Sequence, residues 1–127
     1  MTSVWHENGH SVPLEDGELR QIAWGMLHAR RAMRGTLPAA LIHDVALEAL
    51  LTIYLAHGRS TSVEQLVNAA EVPGNTTRRW LAALASEDLI VVDDHDASLT
   101  AYGFERTNQM LTSVVRSQRG LLGWAQH

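Results

Sequence analysis

Residues 60–89, STSVEQLVNAAEVPGNTTRRWLAALASEDL, constrain the fold more than any other stretch of this chain. They read as a helix, a tight turn and a second helix. Leu66, Ala69 and Ala70 give the first helix a small apolar face, and Ser62 is placed to cap its start. Val72, Pro73 and Gly74 then stop it, because proline bars the residue before it from the helical region and glycine permits a turn. Asn75 or Gly74 is expected to cap the second helix. Its Thr77, Trp80, Leu81 and Leu84 follow the i, i+3, i+4, i+7 rule and are expected to face inward. The opposite face then presents Asn75, Thr76, Arg78, Arg79, Ala82 and Ala83, with no carboxylate before Glu87. Hydrogen-bond donors and guanidinium groups on such a helix suit the reading of double-stranded DNA, and the pair of helices reads as a helix-turn-helix.

The rest of the chain supports this unit. Residues 1–12 carry Trp5, Gly9 and two histidines without periodicity and are expected to form an irregular arm; residues 13–127 read as one domain. The first helix should begin between Pro13 and Asp16, with Leu19, Ile22, Ala23, Met26 and Leu27 as its apolar stripe, continued by Met33. Trp24 on that helix suits packing within the domain or against a second subunit. Arg30, Arg31 and Arg34 complement its C-terminal dipole as solvated charges before Gly35 ends it. A break at Leu37-Pro38 and a short turn through Leu41 and Ile42 follow. Asp44 then caps a helix over residues 45–57, buried through Leu47, Leu50, Leu51, Tyr54 and Leu55 and ended by Gly58.

Beyond the helix pair, Leu89-Ile90-Val91-Val92 suits a strand, Asp93-Asp94-His95-Asp96 a tip, and Ala97-Ser98-Leu99 a returning strand. Thr100 should cap a last helix reaching about Gln118, with Phe104, Met110, Leu111, Val114 and Val115 inward. Gly120 should end it before an apolar tail of Leu121, Leu122 and Trp124. The expected fold is therefore mainly α with a small β-hairpin, a winged helix-turn-helix flanked by N- and C-terminal helices.

Bulk properties narrow the function. A chain of 127 residues suits one domain with a real core. It has no cysteine, which excludes disulfides, thiolate catalysis and cysteine-based metal sites. The opening MTSVWHENGHSV has neither the basic region nor the apolar run of a signal peptide. No apolar stretch reaches membrane-spanning length, so a soluble cytoplasmic protein with no membrane contact is expected. Of seven histidines only His6 and His10 stand i, i+4, in the irregular arm, and a metal site needs three or four convergent ligands. No nucleophile motif, phosphate-cradling glycine loop or carboxylate pair stands out. Neither a metal, nor a cofactor, nor an enzymatic activity is expected.

The formal charge of −4 argues against nucleic acid, since phosphate contacts supply most of the affinity. Its distribution argues back. All ten basic residues are arginines; Arg78 and Arg79 sit on the outward face of the second helix, and the acids gather at residues 15–18 and 87–96. Arg59, with the Ser60-Thr61-Ser62 run, is a further candidate for the DNA backbone, although capping alone accounts for the hydroxyl of Ser62. The candidate DNA-binding residues are Asn75, Thr76, Arg78, Arg79, Arg59 and Ser62. Trp80, from its spacing, reads as core.

In this order of elements the chain resembles the MarR-type winged helix-turn-helix regulators over residues 37–111. The run Asn75-Thr76-Thr77-Arg78-Arg79-Trp80-Leu81-Ala82-Ala83-Leu84 is similar to the family's recognition helix. Leu89-Ile90 is similar to the chain leading into its wing, and Leu99-Thr100-Ala101-Tyr102-Gly103 to the exit into its dimer helix. The resemblance implies a homodimer that binds a roughly palindromic duplex site as a transcriptional regulator, most simply a repressor. It also implies response to a small-molecule effector, whose identity it does not specify. Two departures stand out. Asp88 replaces a common glycine. The tip at Asp93–Asp96 is acidic where the family carries an arginine that enters the minor groove, so DNA contact falls to the second helix. A winged helix used for protein–protein interaction, with weak or no DNA binding, is the alternative.

Overall fold

The computed structural model describes residues 16–34, 36–37 and 44–125. The irregular arm, the helix start at Pro13, the stop at Gly35 and the turn through Leu41 and Ile42 lie outside the described residues, as do the side chains of the apolar tail. Among the described residues, five helices and three strands follow in the order α1 (Asp16–Met33), α2 (Val45–Leu55), β1 (Ser60–Ser62), α3 (Val63–Ala70), α4 (Gly74–Ser86), β2 (Ile90–Val92), β3 (Asp96–Leu99) and α5 (Ala101–Ala125), with a 3-10 turn over His57–Arg59. The fold is mainly helical with a small antiparallel sheet of order β1-β3-β2.

The architecture turns on α2. A helix apolar on all sides must be covered on all sides, and seven of its eleven residues are buried. Leu51 and Tyr54 face α1 and α5, joining Leu19, Ala23, Leu27 and Leu111 in one cluster. Ala49, Leu50 and Ile53 face α3, α4 and the sheet, joining Leu66, Leu81, Leu84, Ile90 and Ala97 in another. The α2 helix is thus the wall between two half-cores.

Local rules hold at most starts. Asp44 Oδ1 accepts the Leu47 N–H at 3.1 Å, Ser62 Oγ the Gln65 N–H at 3.0 Å, and Thr100 Oγ1 the Gly103 N–H at 2.8 Å. Asp88 adopts φ 64°, the left-handed backbone that a glycine would take more cheaply. At Gly103 a Cβ would run into the backbone carbonyl of Leu89, so glycine lets α5 start directly against the chain entering the hairpin.

Several expectations are corrected. Neither Gly74 nor Asn75 caps α4: Pro73 precedes it without a side-chain cap, and Gly74 is its first residue. A Cβ on Gly74 would lie 3.2 Å from Val67 Cγ1, so glycine serves close helix packing there and Glu71, at φ 60°, makes the left-handed turn. The α2 helix stops at Leu55, two residues short of its expected end, and Gly58 takes φ 68° in the turn that follows. Residues 60–62 form a strand besides capping α3, because β3 offers them a partner: Ser60 pairs with Ser98 and Ser62 with Asp96. The last helix runs through Gly120 and Gly123 to Ala125, since each interior glycine costs only about 1 kcal/mol. Met33 is about half exposed instead of continuing the α1 stripe.

Candidate functional site

The α3–α4 turn and the β2–β3 hairpin flank one exposed helix, and the site is built from that helix outward. Thr77, Leu81 and Leu84 of α4 are buried. At about 100° per residue, Asn75, Arg79, Ala82 and Ala83 fall on the far side, and all four are exposed. Thr76 is half-buried at the edge. From Gly74 to Ser86 the helix contains no carboxylate.

Arg78 and Arg79 do not share a direction. Arg78 turns toward the hairpin and lines a groove with Val63, Leu81, Ala82 and the residues Val92, Asp93 and Asp94. Arg79 points away from the body of the protein. Trp80 lies on the opposite flank from Arg78 and is 46 % exposed, which corrects its reading as core. It sits about 60° of helix rotation from Thr77, at the margin of a stripe that Thr77, Leu81 and Leu84 already fill.

The other two candidates are occupied within the fold. Ser62 spends its oxygen on the cap of α3 and lies in β1. Arg59, in left-handed backbone at φ 54°, places its guanidinium carbon 3.7 Å from the ring centroid of Phe104 on α5. The structure therefore brings Asn75, Thr76, Arg78 and Arg79 together on α4 and holds Arg59 and Ser62 in structural contacts.

At the hairpin tip, Asp93 Oδ1 accepts the backbone N–H groups of Asp96 at 2.6 Å and His95 at 2.7 Å. These bonds, that to Asp96 foremost, hold the Asp93 carboxyl below its ordinary value. The side chains of residues 93–96 are all exposed. The tip is a preformed turn carrying carboxylates.

Behind α4 lies polar chemistry that periodicity did not reveal. The trio Arg30, Arg31 and Arg34 is not a set of solvated charges. Arg30 approaches Asp44 Oδ2 at 3.9 Å, and Arg34 is buried against Glu48 of α2, with its Nε 3.7 Å from Glu71 in the α3–α4 turn. A carboxylate inside the apolar run VALEALLTIYL was the available signal, because a charge there requires a buried partner. Next to it a cavity of about 20 Å³ is lined by Glu48, Thr52, Leu66 and Thr77 among others, and the Thr77 hydroxyl, fully buried, has no protein partner.

Among the described residues, no group of three or more His, Cys, Asp or Glu side chains is placed to hold a metal ion, and no helix is long and apolar enough to cross a membrane. Neither a known protein family, nor a curated protein, nor a solved structure matches this chain.

Proposed function

We propose that this chain is a MarR-like winged helix-turn-helix regulator of transcription that reads double-stranded DNA as a cytoplasmic homodimer, most simply as a repressor. One observation carries the reading: the exposed face of α4 presents Asn75, Arg78 and Arg79 over thirteen residues without a carboxylate. An α-helix fits the major groove, and an arginine bidentate to guanine discriminates between bases by about 1–3 kcal/mol. The outermost position of Arg79 suits a base edge. Arg78, on the hairpin flank, suits the phosphates bordering the groove. The α3 helix and the turn at residues 71–73 then correspond to the first half of the motif, and β2–β3 to a wing whose acidic tip stays off the DNA.

The dimer rests on α1 and α5. Trp24 and Met33 on α1 and Leu37 beyond it are each about half exposed, and α5 continues for 25 residues. Two copies of α4 about 34–36 Å apart would meet successive major grooves. Sedimentation of a monomer at micromolar concentration would remove the two-half-site picture.

The decisive experiment is gel retardation of host genomic fragments at about 50 and 200 mM salt, the range over which phosphate contacts lose affinity. Wild type is expected to retard a subset. Arg78→Ala should weaken binding across sequences and reduce the salt slope by about one, whereas Arg79→Ala should relax sequence preference. Absence of retardation at low salt overturns the reading. The exposed carboxylates of Asp93, Asp94 and Asp96 favour a second use, docking on another protein, and a chain that ignores DNA would turn attention there.

A further inference from the structure

The groove between α4 and the hairpin has a volume of about 570 Å³, within the 300–1,000 Å³ usual for small-molecule sites. It exists because the hairpin flank of α4 is built from small residues: Ala82, Ala85 and Ser86 leave room that longer side chains would fill. Val63, Leu81 and Val92 complete an apolar floor. Charge is divided across it. Arg78 stands on the helix wall, and Asp93 and Asp94 stand on the hairpin wall. No ion pair joins them among the described residues, so the guanidinium and the carboxylates both remain available. Only one oxygen of Asp93 is used by the turn.

We propose that this groove binds an amphipathic aromatic cation, its neutral ring system on the apolar floor beside Arg78 and an ammonium group on a flexible arm toward Asp93 and Asp94. Two carboxylates against one arginine select a cation over an anion. Arg78 fixes the orientation, because it repels the cationic end and stacks on an aromatic face. Aliphatic cations gain the floor but not the stacking, and neutral aromatics gain the stacking but not the carboxylates. An occupant also covers Arg78, so it competes with any DNA that Arg78 contacts. The proposal goes beyond the DNA reading, and its first test contains no DNA.

Fluorescence anisotropy of dansylcadaverine, a neutral aromatic ring with an ammonium arm, and of dansylglycine, its anionic relative, is measured against the full chain. Three proteins are compared: wild type, Asp93→Asn/Asp94→Asn, which retains the oxygen that caps the turn, and Ala82→Phe, an exposed position whose new ring fills the groove. Circular dichroism establishes that all three are folded. Dansylcadaverine should bind wild type saturably and dansylglycine about tenfold more weakly or worse. The asparagine variant should lose about fivefold or more, and Ala82→Phe should not bind. Equal binding of the two dyes, no saturable binding, or variants that bind as wild type does each overturn the proposal. In a second arm, dansylcadaverine should release retarded DNA from wild type more readily than from Asp93→Asn/Asp94→Asn; equal release overturns the competition. A chain that retards no DNA overturns the DNA reading alone, and the dye measurement still decides the groove.

Discussion

Nη1 of Arg34 lies 2.7 Å from Oε1 of Glu48 and 2.5 Å from Oε2, and both side chains are only 7 % exposed. Arg34 follows α1 and Glu48 belongs to α2, so a buried ion pair pins the N-terminal helix to the wall of the core. Removing one partner leaves a buried charge, which costs about 3–5 kcal/mol, whereas replacing both with apolar residues is often neutral. Urea denaturation should therefore show Arg34→Met and Glu48→Met each strongly destabilised and Arg34→Met/Glu48→Met much nearer wild type. Additive losses in the double variant would refute a coupled pair.

The buried hydroxyl of Thr77 has no protein partner. Burying a hydroxyl without one costs about 1–3 kcal/mol, and valine has the same shape without the oxygen. Thr77→Val should unfold at the same or a higher urea concentration than wild type. A clear loss of stability would mean that a water in the adjoining cavity satisfies the hydroxyl.

Gly103→Ala sets two effects against each other. Alanine favours a helix by about 1 kcal/mol over glycine. Its Cβ would meet the carbonyl of Leu89, which is backbone and moves only with the hairpin. Overpacking of this kind costs about 1–3 kcal/mol, so the steric term should win and the melting temperature should fall. A rise would show that α5 can start further from Leu89.

Tyr54 donates its hydroxyl to Asn108 Oδ1 at 2.5 Å, and burial pushes its pKa above the ordinary 10.0, with Asp16 adding to the rise and Arg20 and Arg59 opposing it. The folded chain thus holds the phenol proton more tightly than the unfolded chain. Its contribution is complete below pH 10 and is lost as pH rises from there through the folded pKa. Stability by urea titration should fall more steeply above pH 10 in wild type than in Tyr54→Phe. Near neutral pH the variant should lose about 1 kcal/mol, the worth of one hydrogen bond. Parallel alkaline limbs would exclude Tyr54 as the titrating group.

Much of the fold was legible because it is locally determined. Asp44, Ser62 and Thr100 cap the helices they were expected to cap, since a cap needs only its own three following residues. Leu19, Ala23 and Leu27 are buried in α1, and Leu111 and Val115 in α5, where the 3.6-residue period put them. Asn75, Arg78 and Arg79 are exposed on α4 for the same reason. The contact of Arg59 with Phe104 and the pairing of residues 60–62 with β3 were not legible, because nothing nearby in the chain announces either partner.

By itself, the sequence determined which residues become helix or hairpin and which face of each is apolar, because those properties depend on spacing and on caps a few residues away. The tertiary structure alone decided how wide each buried face is, and so left Trp80 outside and took Arg34 in. It also made a strand of residues 60–62, through a Ser60–Ser98 pairing 38 positions apart. It set Arg78 across a groove from Asp93 and Asp94 as well. Each of these depends on a partner that chain folding brings near, and a residue's own neighbours in sequence carry no information about that partner.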